Sequence, residues 1–507
     1  MFKTIAKNVF SNYVGIAGSI IIAFLLSPFL VHTLGDTKFG IWSIVSAFTG
    51  YMALLDLGVS SAVAKFVARF KALNNYKSVN TVIASALTIM LVVGTALVLL
   101  SPLLASSVVH LAGFEGSLAD TVHTLILVGS LDMCIFVVTG VLVGSMYGFQ
   151  HFQAINAINI TMSLLRALLF YLALTNGYDL VAMALLSVLG KLLACIFTFL
   201  ALRRAEPNVQ IDLTKTEKST VMSIFHFSRF TFLSMVAMQL VYYSDAFVIG
   251  YFMSAAAITY YTIPWSLSEY TNRLILAIAH TFTPVFSAQD ATVGNQTIYQ
   301  TYIIGTKFML FISNLLCGGV LVLGYYFLAI WMGPTYAEKC TTVLTIMFYT
   351  QLVKGPQLLS YGILLATSKH RVYSFYNIGF SLMNLILSIV LIQQYGLVGV
   401  AIGTAITQML FYGVITPFLT SRVLGSSLWS YFLNTYIRSV PSSIVLILLL
   451  SFLSNRHAPD GYVSLLGQAL VSACVYAGVA YFTLLNTKER NFLLNAGKRL
   501  VARYKSV

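Results

Sequence analysis

The chain has 507 residues, of which 58% are hydrophobic and only 9% charged, with a formal net charge of +14. A soluble domain carries about 25% charged residues, so this composition excludes a water-solvated globular protein. Helices satisfy their own backbone groups, as hydrocarbon demands, and one span needs roughly 20 mostly apolar residues.

Lys3 and Lys7 precede an apolar run that continues through Val31 with no small-residue cleavage site, which reads as a first span and not a removed signal. From there, polar punctuation predicts spans at 10–34, 39–64, 80–110, 117–147, 152–174, 178–202, 223–252, 256–286, 300–331, 341–366, 372–392, 396–420, 432–455 and 461–485. The expected fold class is an all-α polytopic membrane protein of about 14 transmembrane helices. Pro264 and Pro356 fall inside spans and predict kinks, because each removes a helical hydrogen bond. The five cysteines are scattered without metal-type spacing and read as packing residues.

Basic residues in loops set orientation. Alternate loops and the tail hold nineteen Lys and Arg, among them Lys65, Arg69, Lys71, Arg203 and Arg204, whereas the opposite loops hold only Lys38, Lys339 and Arg456. Both termini are therefore expected in the cytoplasm, in a plasma membrane. The segment 287–299 fits this scheme poorly, offering only Asp290. The net positive charge thus reports topology and a possible attraction for lipid headgroups. No surface stripe of the kind that binds nucleic acid is evident.

An internal repeat emerges next. Asn159–Leu164 resembles Asn377–Leu382 at an offset of 218, and Tyr178–Ala184 resembles Tyr395–Ala401 at 217. Six spans per unit is even, so the copies are parallel, and substrate sites in such transporters tend to lie at the repeat interface. The expected organisation is a six-helix lobe at 1–202, a cytoplasmic linker at 203–222, a second six-helix lobe at 223–421, two added helices at 422–485 and a basic cytoplasmic tail at 486–507.

Seven bases remain inside spans: Arg166, Lys191, Arg229, Arg273, Lys307, Lys354 and Arg438. Asp56, Asp132, Asp245 and Glu269 are the acidic residues there. A charge at membrane depth costs several kcal/mol unless it faces protein or a water-filled cavity. Arg166, Lys191, Arg273 and Lys354 lie nearest mid-span and are the candidate substrate-binding residues, drawn from both halves. Arg binds phosphate bidentately and Lys supplies a point charge, so the excess of bases suits an anionic cargo. Asp56, Asp132, Asp245 and Glu269 are candidate charge partners or ion-coupling groups. The competing reading is internal pairing, as for Glu269 and Arg273 at i, i+4. Arg229 and Lys307 lie nearer the cytoplasmic span ends, within reach of snorkelling. The aromatic stretches Tyr242–Asp245 and Tyr260–Trp265 offer either interfacial anchors or sugar-stacking faces.

No Walker A, HExxH, paired-cysteine or GxSxG motif is evident. Neither catalytic residues nor a metal or cofactor is expected, and transport is favoured over catalysis.

Phe39-Gly40-Ile41-Trp42-Ser43 opens the second span, Leu54-Leu55-Asp56-Leu57-Gly58 lies near its end, and Ser244–Phe252 leads into Ala256–Tyr261. With Tyr395–Ile402, these stretches resemble the signatures of the O-antigen and exopolysaccharide-unit flippases (Wzx-type) of the multidrug/oligosaccharidyl-lipid/polysaccharide (MOP) superfamily. The resemblance implies two six-helix lobes that alternate between inward-open and outward-open forms. It implies a lipid-linked oligosaccharide, carried on an isoprenoid pyrophosphate, as cargo for surface polysaccharide synthesis. A polysaccharide polymerase and glycosyltransferases are then expected partners. A cation-coupled multidrug exporter, a membrane glycosyltransferase or polymerase, and a peptidoglycan-precursor flippase remain as alternatives.

Overall fold

The structure is a computed structural model that describes residues 2–111, 116–283, 285–286, 289, 294–367, 370–487 and 489–491. Among the described residues every regular element is a helix. In chain order they are α1 (Phe2–Met52), α2 (Val59–Ala72), α3 (Tyr76–Leu111), α4 (Gly116–Gly148), α5 (Phe152–Thr175), α6 (Leu180–Ala205), α7 (Lys218–Phe252) and α8 (Ala255–His280). They continue as α9 (Asn295–Trp331), α10 (Pro334–Ala366), α11 (His370–Leu410), α12 (Thr416–Leu424), α13 (Leu428–Asn434), α14 (Tyr436–Arg456) and α15 (Tyr462–Thr483).

Two of these are double. Gly35 in α1 has φ 75° and ψ 167°, and Gly396 in α11 has φ 56° and ψ −136°. Glycine adopts such backbone without a Cβ penalty, so a single residue turns one span into the next. Counting both as two rods, with α2 and α12 as continuations and the seven-residue α13 left out, gives fourteen rods among the described residues. The second predicted span, 39–64, is not continuous. A 3-10 turn at Ala53–Asp56 is followed by left-handed Leu57 (φ 52°) and Gly58 (φ 75°), and α2 starts afresh at Val59.

The rods carry large apolar side chains outward, such as Leu99, Leu103 and Leu470, each at least 65% exposed. In water such a surface would drive association; in lipid it is already solvated. Cohesion must then come from close packing and polar contacts. α4 shows how. A Cβ at Gly144 would sit 2.4 Å from the Ser60 carbonyl oxygen, so only glycine lets α2 approach this closely.

The described chain forms two compact units, one of Met1–Thr262 with Asn377–Gly396 and one of Ile263–Tyr376 with Leu397–Val507. In the first, α2, α3 and α4 bury Val63, Ile83, Met90, Val141 and Met146 in a core that also takes Ile224 of α7. The connection from α6 to α7 joins that core through fully buried Val209. It is stitched to α3 as well: the Gln210 amide donates to Asn80 Oδ1 at 3.0 Å, and the Glu217 amide donates to Ser85 Oγ at 3.3 Å. In the second unit, Leu446 and Leu450 of α14 and Tyr476 of α15 pack on Leu323 of α9.

Candidate functional site

A pocket of about 300 Å³ opens within the first unit. The second half of α1 lines it with Trp42, Ser46 and Thr49, and α7 adds Tyr243. Asp132 comes from α4, Arg166 from α5, and Ser187 and Lys191 from α6, one helical turn apart. Apolar stripes on these helices face lipid or core, which turns their few polar residues inward.

The charges in this pocket are close but unmarried. Among the described residues none of Asp132, Arg166 and Lys191 takes part in an ion pair. Both bases act electrostatically on Asp132 nonetheless. The Lys191 ammonium lies 4.6 Å from the Phe136 ring centroid, a cation–π contact that fixes its position without neutralising it. Asp132 Oδ1 is enclosed and has no hydrogen-bond donor among the described residues. The Trp42 ring is braced edge-on by Phe170, with centroids 5.9 Å apart at 86°.

The second unit repeats the two-to-one ratio with a different outcome. Glu269 accepts from Arg273 Nε at 2.9 Å and from Asn272 Nδ2 at 3.3 Å. It also acts electrostatically on Lys354, whose ammonium stands 5.9 Å from the Tyr412 ring centroid. Here the carboxylate is bonded on both oxygens. The four predicted bases therefore form two sets, Arg166 with Lys191 and Arg273 with Lys354, each with one acid.

The model of a family described as polysaccharide biosynthesis protein matches residues 5–289, more than half of the chain. The chain belongs to that family. The relatives of this family member include the membrane protein EpsK of Bacillus subtilis (strain 168), itself uncharacterized, at 20% identity over 96% of this chain and 97% of that protein. A Shigella flexneri protein provisionally named as an O-antigen transporter is also 20% identical, over 80% of this chain and 96% of its own. Among solved structures, an inward-facing multidrug resistance MATE family transporter of the MOP superfamily superposes with a TM-score of 0.73 at 15% identity, covering 80% of this chain and 94% of that one. The lipid II flippase MurJ in an inward closed conformation gives 0.74 at 14% identity, covering 95% and 100%. The multi-pass helical fold expected from the sequence is the fold these structures share.

The remaining acids of this polysaccharide biosynthesis family member are hydrogen-bonded outside these two sets. Asp56 ends the 3-10 turn that precedes α2, and its Oδ1 accepts from the Ser60 hydroxyl and, at 3.4 Å, from the Ser60 amide. It thus ties the 3-10 turn to the first turn of α2 across the break at Leu57 and Gly58. Asp245 is buried and accepts from the Tyr261 hydroxyl and from Ser388 Oγ at 3.0 Å, tying α7, α8 and α11. Tyr261 is therefore engaged with Asp245, and Tyr260 with Asp36, while Tyr243 does face the pocket. The side chains of Tyr242 and Arg229 lie outside the described residues.

Two charge centres escaped sequence reasoning. Glu206, which ends α6, gathers Lys71 Nζ at 3.0 Å, His151 Nε2 at 3.1 Å and the Tyr76 hydroxyl at 3.2 Å. Burial pushes its carboxyl up, but the bonds from Lys71 and His151 outweigh this and hold it below the usual range. Lys307 does not snorkel; it is 2% exposed and pairs with Glu489 at 2.8 Å. Its position inside an apolar run was visible, but its partner lies 182 residues away with no spacing to link them.

Proposed function

We propose that the chain translocates isoprenoid-pyrophosphate-linked oligosaccharide units across the plasma membrane by alternating access, both termini being cytoplasmic. The observation that carries this reading is the pocket in which Arg166 and Lys191 stand beside a single carboxylate with no ion pair among the described residues. A pyrophosphate is the part of such a cargo that two desolvated bases would hold, since charge-assisted bonds are the strong ones. Family membership and the relative named for O-antigen transport support the same cargo class. An exporter of cationic drugs would want the opposite balance of charge.

Arg166 and Lys191 are the proposed pyrophosphate contacts of the first unit, and Arg273 and Lys354 the proposed cargo contacts of the second. The six-span repeats, 1–202 and 223–421, are the proposed alternating elements. Glycosyltransferases would supply the lipid-linked unit and a polymerase would consume it, with no chemical step in this chain.

The test replaces Arg166 and Lys191 singly by Gln and scores surface polysaccharide at equal protein level, alongside flipping of a labelled isoprenoid-pyrophosphate sugar in proteoliposomes. A charge-assisted contact is worth about 1.5–3 kcal/mol, so each change should slow flipping by about tenfold or more. Normal export by both variants would overturn the assignment.

A further inference from the structure

A second cavity, of about 400 Å³, lies between the start of α3 and the connection from α6 to α7. Every residue that lines it is polar. Lys77 and Thr81 come from α3, one turn apart, and Gln210, Thr214, Lys215 and Glu217 come from the connection. The exposed apolar side of α3 starts only at Leu91 and Val92, ten residues beyond Thr81. That is about 15 Å at the helical rise, more than the headgroup layer, which is about 5–8 Å thick. The cavity therefore opens to water, on the face that the proposed topology puts in the cytoplasm. A lipid acyl chain would find no apolar wall in it.

The bonding capacity left open there is specific. Thr81 is only 7% exposed, yet its hydroxyl has no hydrogen bond among the described residues. A buried hydroxyl without a partner is unfavourable and calls for an explanation, and this one faces a cavity. Lys77 is exposed and takes part in no ion pair among the described residues. Lys215 Nζ donates to Gln210 Oε1 at 3.1 Å and lies 3.7 Å from Asp212, which leaves an ammonium hydrogen and the Gln210 side-chain NH₂ to spare. Thr214 gives its proton to Asp212 and keeps an oxygen that accepts. The exposed Glu217 carboxylate holds neither a hydrogen bond nor an ion pair among the described residues.

Two ammonium groups suit a phosphate monoester, which carries a charge of about −1.5 to −2. The carboxylate among them disfavours a bare phosphate and favours a ligand that also brings hydroxyl donors. We infer that this cavity is a binding site for a soluble sugar phosphate: Lys77 and Lys215 take the phosphate, sugar hydroxyls donate to Glu217 and Thr214, and Thr81 and Gln210 donate to the sugar. The inference needs neither Arg166 nor Lys191 and does not rest on the cargo reading. A ligand so held bridges α3 and the connection, adding to the bonds that Asn80 and Ser85 already make there.

The experiment is equilibrium dialysis of the purified full chain in nanodiscs, where both faces meet the solution. The probes are a panel of hexose and N-acetylhexosamine phosphates, the matching free sugars, and inorganic phosphate. At least one sugar phosphate should bind at one site per chain, about tenfold tighter than inorganic phosphate and than its free sugar, the worth of one charge-assisted hydrogen bond. Lys77→Gln, at an exposed position, should weaken that binding by about tenfold. Thr81→Val, nearly the same in shape, should weaken it several-fold, and Glu217→Gln should narrow the margin over inorganic phosphate. Binding undiminished in all three variants, or no sugar phosphate held above inorganic phosphate, overturns the inference. A further arm compares nanodiscs of phosphatidylcholine with nanodiscs containing phosphatidylglycerol. Equal sugar-phosphate affinity in both is expected; its loss in the anionic membrane would assign the cavity to a lipid headgroup and overturn the inference.

Discussion

Lys307 on α9 and Glu489, just beyond α15, form a bidentate ion pair with contacts of 2.9 and 2.8 Å. Glu489 is itself fixed: the Asn486 amide donates to its Oε2 at 2.7 Å, and its own amide donates to Asn486 Oδ1 at 2.9 Å. The end of the appended helix pair is thereby anchored to α9 through one buried ammonium.

The two partners should not be equivalent under mutation. Glu489→Ala strands a buried positive charge, and breaking a buried pair from one side costs about 3–5 kcal/mol. Lys307→Met leaves a carboxylate that still caps its turn, and should cost less. The double variant Lys307→Met, Glu489→Leu should recover much of the loss. Melting in detergent for all three, read as a double-mutant cycle, checks the order.

The Glu206 hub sets an acid limit on stability. Its carboxyl is held below its unfolded value by Lys71 and His151, with Tyr76 as a further donor. A depressed carboxyl contributes stability that is fully present above the unfolded value, about 4.3, and is lost as pH falls through the folded one. Glu206→Gln should therefore melt below wild type at pH 7, and the gap should close as pH falls below the unfolded value and through the lower folded one. A constant gap over that range would contradict the account.

Gly50 is a spacer for Tyr243. A Cβ at position 50 would fall 2.3 Å from the ring. Gly50→Val should push the ring into the pocket and cut transport by about tenfold or more, since small misplacements at a site are costly. Fluorescence-detected size exclusion should show the variant folded. Adding Tyr243→Ala should recover expression of any variant that misfolds, but not transport.

Gln357 binds two buried tyrosines and a partly buried one in the second unit. Tyr302 donates to its Oε1 at 3.2 Å, and its Nε2 donates to the hydroxyls of Tyr431 and Tyr436 at 2.9 and 3.1 Å. Tyr302 and Tyr431 stack at 4.9 Å. Tyr436 in turn donates to the Val353 carbonyl at 3.1 Å, in the turn that Pro356 interrupts. Gln357→Leu leaves several enclosed polar atoms without partners and should cost about 2–4 kcal/mol, seen as a lowered melting temperature with little change in transport rate.

The spans were legible because hydrocarbon imposes its thickness on the sequence: apolar runs and polar breaks mark where rods begin and end. The break at Ala53–Gly58 was not legible, since it depends on left-handed Leu57, a conformation that residue type does not announce. The bases were legible as charges in apolar runs. Their grouping was not, because Asp132, Arg166 and Lys191 meet only when α4, α5 and α6 pack. Asp245 was legible as an acid in an apolar run; its bonds to Tyr261 and Ser388, which join elements far apart in sequence, were not. Composition names the residues that are expensive to bury, and only packing names what repays each one.

The stretch from Glu206 to Glu217 has the length and polarity of slack cord, and a protein engineer would choose it for a fluorescent tag or a protease site. Its backbone is instead sewn to Asn80 and Ser85, with Val209 sunk in the core. An insert there would have to unpick that seam, so reporters are better carried elsewhere, and resistance of this stretch to added protease in the native protein would be a simple sign that the seam is closed.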